Sequence, residues 1–182
     1  LVCSGLAYRL ADNQSVYQVP DSFVWLGRGS DLLGLPNAVV LMLLLYGVAY
    51  GVMTQTSLGR HLYAVGGNSE AAFISGVPVK RVILIAYVIC GLLAGLGGVV
   101  TASLLKSGSP TYGQMYELYV IAAVVVGGTS LSGGEGKMLG TLIGAFTIAV
   151  IQNGMNLTNV ESYTQKVVLG LVILGAVLLD KV

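Results

Sequence analysis

The stretch VILIAYVICGLLAGLGGVVTASLL, from Val82 to Leu105, decides the class of fold because it runs for 24 residues without a charge. Arg81 precedes it and Lys106 follows it. At a rise of about 1.5 Å per residue, a helix of this length reaches roughly 36 Å, enough to cross a hydrocarbon core of about 30 Å with some tilt. The stretch therefore predicts a membrane-spanning helix.

The composition of the whole chain agrees with that prediction. Hydrophobic residues make up 55% of the 182 residues and charged residues 9%, against roughly 25% charged residues in an average soluble domain. The mean hydropathy is +0.83, which excludes a disordered chain. The net charge is +1, and no basic stripe indicates a nucleic-acid partner. We predict an all-α integral membrane protein, a polytopic transmembrane helix bundle in a lipid bilayer.

Four further segments lack charged residues at their centres, so that the chain is expected to contain about five spans. The third and fifth are shorter than the roughly 20 residues that a full crossing prefers. Each of these two either crosses the membrane or forms a half-span or re-entrant element. The predicted spans are 36–54, 82–105, 118–133, 138–155 and 166–180.

Small residues at helical spacing predict close helix packing in four of the spans, among them the second and the fourth. Gly91, Gly95 and Gly98 lie along one face of the second span, and Gly140 and Gly144 along one face of the fourth. In lipid no hydrophobic force drives helices together, and small residues let their backbones approach closely. We expect these glycines to pack helices within the bundle. The alternative is that they line a solute pathway.

The positive charges predict how the loops are oriented. The loop 55–81 carries Arg60, Lys80 and Arg81, and an excess of Lys and Arg marks cytoplasmic loops. We therefore place this loop in the cytoplasm and the polar segment 9–35, which contains Trp25, outside. Residues 1–8 are expected to be the end of a truncated span, with the N-terminal part of the protein missing.

The run LSGGE, Leu131 to Glu135, nearly matches a signature of ATPase domains, and Gly136-Lys137 follows it. A phosphate-binding loop needs a glycine five residues before the Gly-Lys pair and Ser or Thr after it. Those positions hold Leu131 and Met138. We interpret the run as a glycine-rich turn between two membrane helices, and we expect the chain itself to bind no ATP.

No pattern in the sequence predicts catalysis or a metal site. The only histidine, His61, has no cysteine or carboxylate nearby in the sequence, and Cys3 and Cys90 have no metal-ligand spacing. We expect no catalytic residue, no metal and no cofactor bound by this chain. No span contains an Asp, Glu, Lys or Arg at its centre, which disfavours an ion-coupled carrier.

Three polar residues lie near the outer end of the fourth span and are candidates for contacts along a pathway. They are Gln152, Asn153 and Asn156. Their amides could contact a hydroxylated solute or form hydrogen bonds between helices. Both roles remain open, and we favour the structural one.

A short cytoplasmic helix is predicted within the loop 55–81. Asn68 or Ser69 can cap its first turn, where Glu70 is favourable, and Gly76 and Pro78 end it. An isolated helix of about two turns is unstable in water, so it must pack against something. Phe73 and Ile74 would supply the apolar contact, either to the protein's own membrane domain or to a cytoplasmic partner.

The same loop and several later runs resemble one family of transport proteins. The loop contributes GR, YAVGGN, AA and SG, from Gly59 to Gly76, and the later runs fall within 116–134, 140–144 and 152–157. Together they resemble the permeases of ABC sugar importers of the ribose/xylose/galactoside type. Family members run to about twice this length, so the resemblance implies the C-terminal half of one permease domain.

The resemblance implies a transport subunit and not an enzyme. Two permease copies, as a homodimer, would pair in the bacterial cytoplasmic (inner) membrane. A cytoplasmic ABC ATPase would use ATP and Mg, and a periplasmic sugar-binding protein would deliver the monosaccharide. The positions matching the loop that couples the permease to the ATPase are Gly59, Arg60, Gly66, Gly67, Asn68, Ser69, Glu70, Ala71, Ala72, Phe73, Ser75 and Gly76.

Other functions stay open on the sequence alone. Within the same superfamily, the runner-up is a permease for branched-chain amino acids or nucleosides. From another class, a non-transporting membrane scaffold would use the cytoplasmic helix to recruit a partner. A secondary carrier comes third.

Overall fold

The computed structural model describes residues 2–17, 19–30 and 34–180. Leu1, predicted in the truncated span, and residues 18 and 31–33, predicted in the external loop, lie outside the described residues. The described residues form nine α-helices and no strand, with one isolated bridge between Val16 and Gly108. The all-α class is therefore confirmed for this part of the chain. The helices are α1 (Val2–Leu10), α2 (Asp21–Arg28), α3 (Asn37–Gln55), α4 (Ser57–Gly67), α5 (Ser69–Ile74), α6 (Val79–Leu105), α7 (Tyr116–Val126), α8 (Met138–Leu157) and α9 (Ser162–Asp180).

Three of these helices, α3, α6 and α8, are long and apolar enough to cross a membrane. They correspond to the first, second and fourth predicted spans. The helix of the third span, α7, ends at Val126, seven residues before the predicted end at 133. Gly128 follows with a φ of +78°, and a glycine in the left-handed conformation ends a helix because it turns the chain away from the axis.

Two helices were not predicted, and both lie in segments that the sequence indicated as loops. α2 lies within 9–35, and α4 occupies the first half of 55–81. The chain divides into two compact units: Leu1–Val48 with Leu84–Gln114, and Ala49–Ile83 with Met115–Val182.

In the first unit, α2 is fastened to the last turns of α6 by a buried serine. Ser103 Oγ accepts a hydrogen bond from the Gly27 amide at 2.7 Å and donates one to the Phe23 carbonyl oxygen at 2.7 Å. Arg28 Nε adds a bond of 2.9 Å to the Leu104 carbonyl oxygen. A Cβ at Gly27 would lie 2.7 Å from the Leu104 nitrogen, so the backbones touch directly. These contacts explain why a helix forms in a segment that the sequence indicated as a polar loop.

The glycine face predicted on α6 belongs to the same unit. A Cβ added at Gly91, Gly95 or Gly98 would meet nothing within 4 Å. These glycines therefore make no close helix contact with the described part of this chain, and their role in packing stays a prediction.

The second unit has its core where α7, α8 and α9 meet. Ala122, Ala123, Ile148 and Leu169 are buried there. At one end of the α7–α8 contact, a Cβ at Gly140 would overlap the carbonyl oxygen of Gly127, and a Cβ at Gly127 would lie 2.8 Å from the Thr141 Cα. The two helices therefore approach backbone to backbone, as small residues permit in a membrane helix pair.

Gly144 provides a test of this close approach. Gly144→Ala places a Cβ against the Ala123 carbonyl oxygen and 2.7 Å from the Gly127 nitrogen, whereas Gly154 in the same helix has open space around it. We expect Gly144→Ala to cost about 1–3 kcal/mol through overpacking. Gly154→Ala is expected to be neutral or stabilising by up to about 1 kcal/mol, because alanine favours helices.

The measurement is the midpoint of thermal unfolding of both variants in detergent, monitored by circular dichroism. Equal midpoints for the two variants would contradict the close contact between α7 and α8.

Candidate functional site

The predicted short helix is confirmed as α5, and its cap is the one the sequence indicates. The Asn68 side-chain oxygen accepts hydrogen bonds from the amides of Glu70 at 3.0 Å and Ala71 at 2.9 Å. These bonds satisfy two of the amides that have no partner within a first helical turn. Glu70 also places its negative charge at the end of the helix that favours it.

The end of α5 also agrees with the sequence. Gly76 has a φ of +85°, and the Val77 amide donates to the Ala72 carbonyl oxygen at 3.0 Å. Ser75 Oγ donates to the Ala71 carbonyl oxygen at 2.9 Å. Pro78 then precedes α6. The left-handed glycine and the proline together separate α5 from α6.

α4 leads directly into α5 and was missed by sequence reasoning. Thr56 caps it, with Oγ1 accepting from the Gly59 amide at 3.3 Å. At its other end the Asn68 amide donates to the Ala64 carbonyl oxygen at 3.1 Å. Asn68 thus ends α4 and begins α5, so the position of α5 is set by the end of α4 without an intervening linker.

α5 is attached to the protein by one face and exposes its largest apolar side chains. Ala72 is 5% exposed, whereas Phe73 is 71% and Ile74 80% exposed. α5 has six residues, and Ala72 is the one among them that is buried. The two side chains expected to supply the apolar contact are therefore left largely uncovered by the described chain.

An open groove lies between α5 and the beginning of α6. It has a volume of about 540 Å³, large enough to receive several side chains of another protein. One acidic residue and two basic residues border it, so its rim can form charge-assisted contacts of either sign. The lining residues are Ser69, Glu70, Phe73, Pro78, Val79, Lys80 and Arg81.

The remaining residues of the predicted coupling loop lie on α4. Gly59 is buried against the backbone of Met53, and Arg60 is exposed. Gly66 and Gly67, in the last turn, face the turn that follows α7. The structure thus brings the predicted residues together on two consecutive helices, and their role in coupling stays a prediction.

The glycine-rich run LSGGE forms a turn between α7 and α8, as predicted. Gly133 and Gly134 have φ values of +88° and +79°, a conformation that strongly favours glycine. Sequence reasoning missed that this turn contacts α4. The Tyr63 hydroxyl donates to the Gly136 carbonyl oxygen at 3.0 Å, and a Cβ at Gly66 would lie 2.8 Å from the Gly134 nitrogen.

The candidate pathway residues lie in the last turns of α8. Asn156 Oδ1 accepts a hydrogen bond of 3.0 Å from Gln165 Nε2, in α9. That contact is the interhelical role the sequence analysis favoured. Gln152 is half-buried and Asn153 is exposed, and a pathway role for either stays a prediction.

Asn68 can be tested as the cap of α5. Asn68→Ala removes the acceptor for two amides and is expected to destabilise α5 by about 1 kcal/mol. Amide exchange at Glu70 and Ala71 should then accelerate about five-fold. Asn68→Asp keeps a side-chain acceptor and should exchange at nearly the original rate. Hydrogen exchange read by mass spectrometry checks this, and equal rates in the two variants would disprove the capping role.

Comparisons with known proteins identify a family model that matches residues 2–177. Its description is "Branched-chain amino acid transport system / permease component". No solved structure matches the chain.

Relatives of known name match most of the chain. The ribose import permease protein of Escherichia coli K12 is 48% identical over 160 residues, which cover 88% of this chain and 50% of that protein. The ribose import permease protein of Bacillus subtilis is 49% identical, over 87% of this chain and 49% of that protein. The L-arabinose transport system permease protein of Escherichia coli K12 is 39% identical, over 99% and 55%. The chain spans about half the length of these relatives.

Proposed function

The chain belongs to the family of branched-chain amino acid transport system permease components, and from this we propose that it forms part of the membrane-spanning permease of an ATP-driven importer. The permease carries a monosaccharide. The observation that carries the proposal is α5, a capped helix that exposes Phe73 and Ile74 within a loop rich in basic residues.

A monosaccharide is favoured over the amino acid in the family description. The relatives at 39–49% identity carry the names of ribose and L-arabinose transport proteins. Identity at this level over most of the chain is more specific than a family description. Branched-chain amino acids and nucleosides are the alternative solutes.

The proposed topology has about five spans in the bacterial inner membrane. α3, α6 and α8 supply three full crossings. α7 and the apolar part of α9, Ser162–Leu178, supply the other two elements, each as a crossing, a half-span or a re-entrant element. Large apolar side chains are exposed along these helices, among them Leu44, Leu92 and Ile143. Such side chains suit lipid or a second permease copy. The loop 55–81 lies in the cytoplasm.

In this proposal α5 docks on a cytoplasmic ATPase subunit. Ala72 fixes the helix on its own protein, and Phe73 and Ile74 enter an apolar groove of the partner. Lys80 and Arg81, at the edge of the groove beside α5, favour carboxylates around that apolar surface. The ATPase subunit binds ATP and Mg, and its closure displaces α5.

A binding protein on the outer side supplies the affinity for the sugar. The permease then needs only weak contacts with the solute, for which the amides of Gln152 and Asn153 are available. This division of roles agrees with spans that have no Asp, Glu, Lys or Arg at their centres.

Docking is tested by cross-linking. Ser69→Cys, at the first residue of α5, is combined with Cys3→Ser and Cys90→Ser, because both native cysteines are exposed. We expect a thiol cross-linker to join position 69 to the ATPase in native membranes. The matched control is Trp25→Cys, which is 55% exposed in its own unit and predicted to lie outside. Cross-links from position 25 and none from position 69 would overturn both the topology and the docking.

Transport is tested by uptake in reconstituted vesicles with the protein at its natural length. Phe73→Asp puts an unpaired carboxylate into an apolar contact and should lower ATP-dependent uptake of D-ribose about ten-fold or more. Gln55→Glu adds the same charge at another exposed cytoplasmic position and should leave uptake unchanged.

The solute and the class of protein are decided in the same assay. Competition by D-ribose or L-arabinose, but not by leucine or a nucleoside, is the expected result. Docking of the ATPase without any uptake would indicate the scaffold. Uptake driven by an ion gradient in the absence of ATP would indicate a secondary carrier.

A further inference from the structure

The turn between α7 and α8 contacts the end of α4 through backbone atoms. A Cβ at Gly66 would lie 2.8 Å from the Gly134 nitrogen, and a Cβ at Gly134 would lie 2.6 Å from the Gly67 Cα. A Cβ at Gly133 would lie 2.5 Å from the Gly66 carbonyl oxygen. None of these positions has room for a side chain. The contact therefore requires glycine on both segments.

A side-chain hydrogen bond adds to this backbone contact. The Tyr63 hydroxyl, one turn before Gly66 on α4, donates to the Gly136 carbonyl oxygen at 3.0 Å. A cavity of about 230 Å³ lies beside it, lined by residues of α4 and of the turn. The turn and α4 thus meet at two points, Gly66 and Tyr63.

The turn is also fixed to the two helices that it joins. The amides of Gly128 and Thr129 donate to carbonyl oxygens of α7 at 2.9 and 3.1 Å, and the Thr129 and Thr141 hydroxyls are 3.4 Å apart. Within the turn, the Ser130 amide donates to the Glu135 carbonyl oxygen at 3.1 Å. α7 and α8 themselves touch through their backbones.

These contacts form a continuous connection from α5 to the α7–α8 pair. Asn68 joins α5 to α4 without a linker, Gly66 joins α4 to the turn, and the turn is part of the α7–α8 hairpin. Backbone contacts have no alternative rotamers, so they cannot absorb a displacement by side-chain rearrangement. Close-packed structure of this kind transmits strain.

We propose that residues 128–137, the positioning turn, hold α5 in place and pass its displacement to α7 and α8. Gly66, Gly134 and Tyr63 are then positioning residues, which act through α5 and touch neither the solute nor the ATPase. The proposal rests on the proposed function, because it assigns a second loop to the same coupling site.

Two helical glycines of the second unit offer a matched pair of variants. Gly66→Ala places a Cβ 2.8 Å from the Gly134 nitrogen, whereas a Cβ at Gly175, in α9, meets nothing within 4 Å. The two substitutions add the same methyl group. Only the first is expected to separate α4 from the positioning turn.

The first measurement compares sugar uptake with ATP hydrolysis in the assembled, reconstituted importer. In Gly66→Ala the ratio of sugar imported to ATP hydrolysed should fall about five-fold or more, while hydrolysis continues because α5 still docks. Gly175→Ala should keep the original ratio. An unchanged ratio in Gly66→Ala, or the same loss in both variants, would overturn the proposal.

Tyr63→Phe keeps the proposal testable if Gly66→Ala does not fold. It removes only the hydroxyl bonded to Gly136 and should lower the same ratio by a smaller factor, about two- to five-fold. A ratio equal to that of the unaltered protein would count against the positioning role.

A second measurement does not depend on transport. Hydrogen exchange of the purified protein should accelerate several-fold across 128–137 in Gly66→Ala and remain unchanged in Gly175→Ala. Unchanged exchange in both variants would refute the positioning turn. Absence of ATP-driven sugar uptake in the unaltered protein would instead refute the proposed function, so the two failures are distinguishable.

Discussion

Two backbones can touch only where at least one of them carries no side chain at the point of contact, and the second unit depends on that constraint. α7 and α8 meet at Gly127 and Gly140, and the α4 end meets the positioning turn at Gly66 and Gly134. In lipid, apolar side chains gain nothing by leaving the solvent, so close backbone approach contributes to the attraction between apolar helices such as α7 and α8. The high glycine content, 26 of 182 residues, therefore reflects contacts as well as turns.

α5 shows how a helix too short to be stable alone is held in place. Its first turn is capped by Asn68, its buried face is a single alanine, and it follows α4 without a linker. The cap, the buried alanine and the direct connection to α4 fix the position of α5 without covering Phe73 and Ile74. Their exposure leaves unfavourable apolar surface in water, and a partner that covers it gains that free energy. In the proposed function, the ATPase subunit is the partner that covers this surface.

The sequence predicted those elements whose signals are local. The length of the uncharged stretch predicted α6, and Asn68, Gly76 and Pro78 predicted where α5 begins and ends.

The helix α4 was missed because Gly59, Gly66 and Gly67 have low helix propensity. Its stability comes from the Thr56 cap and from contacts with residues far along the chain. α2 was missed for a similar reason, since Ser103, which fastens it, lies more than 70 residues away. Gly95 and Gly140 look alike in sequence, yet only Gly140 meets another backbone. A glycine pattern shows where a close backbone contact is possible, but it does not show which segment makes that contact.

No Asp, Glu, Lys or Arg lies at the centre of a predicted span of this chain. Coupling to an ion gradient commonly uses such groups inside the membrane. In the proposed function the work instead enters mechanically, at α5, and reaches the membrane segments through contacts that do not yield. A side-chain interface could absorb a small displacement by changing rotamers, whereas the contacts of Gly66 with Gly134 and of Gly140 with Gly127 cannot. In that proposal glycine has two roles at these positions: it lets the backbones pack closely, and it makes their contact rigid.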